Sequence, residues 1–212
     1  MFNFSPIEIV IVFILGISVG SFLNCFTYRL YRKKSIRGRS FCDQCKHPLT
    51  AKDLIPLFSY LLMKGRCSYC KKEISSQHFF VELATGVLFV LFYNPTDIIT
   101  LFYLLFTASL LLLLFLYDLR HRVVLNTAIY LLILSSLFYV EEVEKILFAS
   151  LFFVFFLAIS VFNKAWIRIG DALFIFFITI FLGPVGLLIV LFISFLIGAI
   201  IKIGRASCRE RV

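Results

Sequence analysis

Two aspartates and four cysteines are the residues of this chain whose type and spacing invite chemistry. Asp118 follows a run of leucine and phenylalanine from Leu110 to Leu116, and Asp171 sits in the stretch Ile167 to Leu173 at the doorstep of another long apolar run. A carboxylate in such a place is costly unless something uses it. Two carboxylates brought close together cannot both ionise cheaply, so they share one proton and titrate as a coupled pair. The ionised member can take a proton from water while the protonated member polarises a peptide carbonyl, which is the chemistry of aspartyl proteolysis. Each residue also has a plainer role open to it. Asp118 can pair with Arg120 or Arg122, and Asp171 can cap free N–H groups at a helix start, where the dipole favours its charge.

The cysteines fall in two C-x2-C knuckles, Cys42/Cys45 and Cys67/Cys70, with 21 residues between them. Each knuckle presents two thiolates, and two such pairs complete a tetrahedral zinc site. Disulfides are the rival reading, disfavoured if the loop faces a reducing compartment. With four protein ligands the metal keeps no open position for hydrolysis, so it serves as a staple for a loop too small to hold itself together. His47 and His78 are not needed as ligands. No serine nucleophile with a matching histidine is visible, which leaves the aspartates as the hydrolytic candidates.

The elements that must position these groups are membrane helices. The chain has 212 residues, of which 61% are hydrophobic and 27 are phenylalanine, and its mean hydropathy is +1.01. There is too little polar surface to solvate a globule. Apolar runs predict about seven transmembrane helices, at Pro6–Thr27, Phe79–Tyr93, Ile98–Tyr117, Val123–Val140, Ile146–Phe162, Ala172–Leu182 and Val185–Ile201. The Phe79 run is expected to extend back through Ile74. The fold class expected is therefore an all-α polytopic membrane protein carrying a small four-cysteine zinc loop.

The net charge of +9 does not call for nucleic acid, because 12 of the 21 Lys and Arg lie between Tyr28 and His78. Basic and non-basic connections alternate along the chain, which by the positive-inside rule puts the N-terminus outside and the C-terminus in the cytoplasm. Asp118 and Asp171 then face the same, cytoplasmic, side. A basic loop at that surface also attracts anionic membrane lipid. Within the first span, Gly16, Ser18, Gly20 and Ser21 permit close helix contact. Asn24 in that span is either an interhelical hydrogen-bonding residue or part of a substrate or cofactor pocket. Glu82, inside apolar sequence, is either paired or functional.

These residues resemble the type IV prepilin leader peptidases, membrane aspartyl proteases with a Gly-x-Gly-Asp signature. The resemblance runs through Gly20-Ser-Phe-Leu-Asn24, Tyr28-Arg29, both cysteine knuckles, Ile55-Pro56, Ser59, Gly65-Arg66-Cys67, Ile74-Ser75, Val81-Glu82, Tyr117-Asp118 and Gly170-Asp171. It implies that Asp118 and Asp171 cleave a basic leader from prepilins or pseudopilins, in type IV pilus or type II secretion systems, at the cytoplasmic face of the bacterial inner membrane. It further implies methylation of the new amino terminus from S-adenosylmethionine, with Asn24 and Glu82 as cofactor-binding residues beside the zinc loop. On this reading residues 1–93 form the methyltransferase part and 94–202 the protease helices. The signature departs from the family at Arg168, which stands where the first glycine is expected, ahead of Gly170 and Asp171. Residues 203–212 are expected to be a non-native tail, since their back-translation matches a common sequencing adapter, and a further C-terminal helix of the family is expected to be missing. The reading from another class is a non-enzymatic membrane scaffold with a zinc-stapled basic loop.

Overall fold

The computed structural model describes residues 5–35, 38–42, 44–94, 97–121, 124–140, 142–162 and 168–209. The described residues are all-helical: α1 (Pro6–Tyr31), α2 (Phe58–Leu62), α3 (Gln77–Leu91), α4 (Ile98–His121), α5 (Asn126–Tyr139), α6 (Val143–Phe162) and α7 (Ile169–Arg209). Four of these helices are long and apolar enough to cross a membrane, α1, α4, α6 and α7, while α3 and α5 are shorter apolar helices. The α2 helix is one short piece of the cysteine loop. Because α7 breaks at Gly183, with φ 79°, and resumes at Pro184, the apolar segments number seven, as the sequence led one to expect. Glycine tolerates that backbone, and proline is suited to the first turn of the resumed helix.

Local chemistry explains the helix starts. Ser5 caps α1, its Oγ accepting the Glu8 N–H at 3.3 Å, with Pro6 in the first turn. Asp97 caps α4, its Oδ1 accepting the N–H groups of Ile99 at 3.0 Å and Thr100 at 3.2 Å. The α3 helix begins later than the apolar pattern suggested. Ile74 is not helical, because its N–H donates to the Gly65 carbonyl at 2.7 Å and so belongs to the second knuckle.

The chain divides into two compact units, residues 1–125 and 126–212. In the first, α1 and α3 approach so closely that side chains are excluded from the contact. A Cβ on Gly16 would lie 2.8 Å from the Gly86 Cα, and one on Gly20 would lie 2.6 Å from the Thr85 Oγ1 and 3.0 Å from the Glu82 Cα. Gly86 answers from α3, where a Cβ would meet Phe13 Cε2 at 2.6 Å and Ile17 Cγ2 at 2.7 Å. Helices in lipid gain little from hydrophobicity and associate through such close packing. The α4 helix packs on the same pair. In the second unit, α7 packs against α5 and α6, burying Ala128, Ile129, Leu132, Ala149, Ala172 and Phe177. Apolar side chains such as Ile7, Leu91, Phe102 and Phe192 are exposed, as they must be on surfaces that meet lipid.

The contact makes a specific demand at Gly20. Gly20→Val places two further methyl groups against Thr85 and Glu82, and overpacking of this kind costs about 1–3 kcal/mol. A lowered thermal midpoint in detergent, relative to Val19→Leu, is the expected result; an unchanged midpoint would show that the helices are not held this close.

Candidate functional site

The two knuckles share one local plan. In the first, the Cys42 N–H donates to the His47 carbonyl at 3.0 Å and the Lys46 N–H to the Cys42 carbonyl at 2.9 Å; in the second, the Cys67 N–H donates to Lys72 at 2.9 Å and the Lys71 N–H to Cys67 at 3.0 Å. Lys46 and Lys71 close the two turns in the left-handed region, with φ 60° and 58°. Isolated bridges, Phe41 to Pro48 and Arg66 to Glu73, tie the mouths of both turns. Backbone geometry therefore aims each pair of sulfurs the same way. All four are free thiols, and their Sγ atoms lie within 4.8 Å of one another. A tetrahedral site with Zn–S bonds of about 2.3 Å needs sulfurs roughly 3.8 Å apart, so the cluster could hold a metal ion after slight contraction. Donation from the Cys45 backbone N–H brings the Cys42 thiol down from 9.0 to about 7, while the Cys45 thiol, against a donating His47 N–H, is pushed up to about 11 by burial and by the Cys42 and Cys70 sulfurs.

Asp53 fastens the segment between the knuckles. Its Oδ2 accepts from the Thr50 N–H at 3.0 Å and the Thr50 hydroxyl at 2.7 Å, while its Oδ1 accepts from Ser68, inside the second knuckle, at 3.0 Å. The Thr50 hydroxyl, chief among these donors, holds the Asp53 carboxyl below its ordinary value. Arg29 does similar work at the end of α1. Its Nη2 donates to the carbonyls of Gly38 at 2.9 Å and Arg39 at 3.2 Å, and the side chain is buried.

Beneath this loop the first unit has an open cavity of about 550 Å³ whose walls include Asn24, Tyr28, Arg29, Tyr60, Phe79 and Glu82. That volume lies within the range of pockets for small-molecule ligands, roughly 300–1,000 Å³. Asn24 and Glu82, the two residues singled out as cofactor-binding, thus line one cavity, and Cys42 and Cys67 stand on its wall. Glu82 is 8% exposed, and its Oε2 accepts the Leu57 N–H at 2.8 Å. Leu57 follows Pro56 and is held at φ 61°, a backbone state that costs a non-glycine residue on the order of 1–3 kcal/mol. Asn24 is 3% exposed, and neither atom of its amide has a hydrogen-bond partner among the described residues. An orphaned donor and acceptor in a cavity wall fit a polar organic ligand, such as a nucleoside, better than an apolar one.

The two aspartates lie in different units, Asp118 in the first and Asp171 in the second. Asp118 is exposed near the C-terminal end of α4. It makes no hydrogen bond or ion pair among the described side chains; the Arg120 side chain and Arg122, its suggested partners, lie outside them. The negative end of the helix dipole disfavours a carboxylate there. Asp171 is in the opposite situation. It lies in the first turn of α7, and its Oδ2 accepts the Arg168 backbone N–H at 3.0 Å, the acid half of a capping box. Arg168 therefore meets Asp171 through its main chain, and among the described residues its guanidinium forms no ion pair with it.

With these positions known, relatives decide the family. A family model described as the bacterial peptidase A24 N-terminal domain matches residues 14–95, and one described as the type IV leader peptidase family matches residues 105–203. The chain belongs to the type IV leader peptidase family. A Vibrio cholerae protein named prepilin leader peptidase/N-methyltransferase is 30% identical over 146 residues, covering 64% of this chain and 58% of that protein. Proteins of the same name from Myxococcus xanthus and Klebsiella pneumoniae are 45% and 40% identical over 87 residues each, with 26% and 38% of their length covered. The matched region thus spans less than two thirds of these relatives. No solved structure matches the chain.

Sequence reasoning did not find Gly86, Leu57 or the tie between Asp53 and Ser68. The only signals were a second small residue in an apolar run and a proline before Leu57, neither of which names its partner. The tie is open to test by pH. A carboxyl lowered on folding stabilises the loop above its unfolded value and loses that contribution as pH falls through the lowered one. Asp53→Asn should therefore speed extraction of bound zinc by a chelator at pH 7 and converge with the parent in strong acid. Equal extraction rates at pH 7 would remove Asp53 from the loop's support.

Proposed function

We propose that this chain is a prepilin leader peptidase with an attached N-methyltransferase activity. The observation that carries this reading is the match of both halves to one peptidase family; Asp118 and Asp171, after Gly170, are the residues proposed for its aspartates. The substrate is a prepilin or pseudopilin whose basic leader is cut at the cytoplasmic face of the inner membrane. The concentration of Lys and Arg between Tyr28 and His78 supports that orientation.

Asp171 stands in the first turn of α7 and accepts the Arg168 N–H, and Asp118 stands near the C-terminal end of α4. In cleavage one of the two aspartates takes a proton from water as the water oxygen attacks the scissile carbonyl carbon. The other gives its proton to the carbonyl oxygen; as the tetrahedral adduct collapses that proton returns to it, and the proton taken from water passes to the departing amine. Arg168 is compatible with this role, since it is the backbone at that position which contacts the carboxylate.

Zinc is the metal that four thiols in this arrangement suit best; Cys42, Cys45, Cys67 and Cys70 would hold it, and bound there it would staple the loop over the cavity. S-adenosylmethionine, when bound, supplies an electrophilic methyl group for the new amino terminus. Asn24 and Glu82 are the residues that would hold it, with Glu82 oriented by the Leu57 N–H.

The activities are separable by mass. Reconstituted with a prepilin, the parent should remove the leader and then add one methyl group. Asp118→Asn and Asp171→Asn should each lose leader removal by at least about 100-fold, the scale of a missing general acid or base, while remaining in the membrane. Asp118→Asn should also be no less heat-stable than the parent, because it removes a charge from the wrong helix end. Replacing Cys42 and Cys67 together should release zinc and impair methylation more than cleavage. Cleavage retained by either aspartate variant removes that residue from the mechanism, and an intact leader with the parent protein favours the scaffold reading.

A further inference from the structure

We propose that Asn24 reads the amino edge of the adenine ring of the methyl donor. The inference rests on the reading of the cavity as the donor site and deepens it by assigning one ligand group to one residue. Asn24 lies one helical turn beyond Gly20 on α1 and is 3% exposed. Its Nδ2 and Oδ1 are both buried and both without a hydrogen-bond partner among the described residues, and the residue lines the cavity. Buried polar groups are almost always satisfied, so a wholly orphaned carboxamide asks for an occupant.

Neighbouring protein groups do not supply it. The Thr27 hydroxyl donates to the Leu23 carbonyl at 2.7 Å, and the Thr85 hydroxyl to the Val81 carbonyl at 2.6 Å. Glu82 uses Oε2 to accept the Leu57 N–H. The Thr27 and Thr85 hydroxyl protons are therefore committed to their own helices and Ser21 bonds to Glu82, so none of these groups partners the Asn24 amide.

A carboxamide presents a donor and an acceptor side by side in one plane. Among the groups of an adenosyl sulfonium, the carboxylate only accepts and the ammonium only donates. Adenine carries the complementary planar edge, an amino donor beside a ring-nitrogen acceptor, and asparagine pairs with it bidentately. Because both amide atoms are orphaned, the match holds whichever way the amide is turned. Tyr60 and Phe79, 5.4 Å apart on the cavity wall, are the aromatic neighbours available to a base, the Tyr28 ring being covered by Arg32 and Lys34. Glu82, with only acceptors to give, suits the ribose hydroxyls or the ammonium group.

The test uses binding, with no turnover. Affinities of S-adenosylhomocysteine and of its analogue lacking the 6-amino group are measured by calorimetry on the detergent-purified full chain. The parent should prefer the amino-bearing ligand by about tenfold, the factor expected when a lost partner leaves a buried polar group unpaired. Asn24→Ala should bind S-adenosylhomocysteine more weakly and lose the preference. Asn24→Asp, which keeps an acceptor for the amino group, should retain part of it. Equal binding of both ligands by the parent, or an alanine variant that weakens both equally and keeps the preference, overturns the assignment while leaving the donor site standing. Failure of the parent to bind either ligand overturns the donor site and this assignment together. The comparison on the parent needs no variant, and equal zinc content in the variants shows that the loop is intact.

Discussion

The close approach of α1 and α3 is the constraint on which the first unit depends. Three glycines, Gly16, Gly20 and Gly86, remove the side chains that would hold the two backbones apart. Because Gly20 rests on the Glu82 Cα and Thr85, the contact brings the Asn24 end of α1 to the cavity that Glu82 also lines. Neither polar residue would be tolerable alone in an apolar helix. Together with Leu57, Ser21 and the loop they place polar groups in the wall of one open cavity, the kind of place where intramembrane polar groups are retained for use.

The loop is held in turn by polar contacts that a hydrophobic core does not supply. The backbone turns of the two knuckles set four sulfurs within reach of one ion. Arg29 gathers the carbonyls after α1, and Asp53 links Thr50 to Ser68. A segment of this size has too little apolar area to fold on its own, and a metal bound to four thiolates can stabilise it outright. The cavity is shaped by both layers, helices below and thiols above. The two aspartates show a complementary economy: Asp171 is stabilised by its helix end and by a main-chain N–H, whereas Asp118 receives no support from α4.

How much could be read in advance followed the range of the interactions. The four cysteines were legible because ligand pairing is set by spacing of two residues, and the helices because apolar length is a local property. Asn24 and Glu82 stood out as polar residues in apolar runs, although the sequence could not say that they share a wall. Glu82 finds its N–H donor 25 residues earlier, at Leu57, and Ser68 reaches back 15 residues to Asp53. Such ties depend on where the chain returns in space, and no periodicity encodes them. Ile74 shows the same limit: an apolar residue next to a helix was drawn into the metal loop by one backbone hydrogen bond to Gly65. Arg168 stood out as the departure from the family signature, and its contact with Asp171 is made by the N–H that any residue would carry.

The claim that joins these observations is that the thiol cluster and the helix pair build one ligand site. Its most direct test is to strip the metal from the full chain with a chelator and follow S-adenosylhomocysteine binding against metal content. Binding should fall in step with the metal and return when zinc is restored, because Cys42 and Cys67 form part of the cavity wall. Undiminished binding by metal-free protein that keeps its helical content would contradict the account.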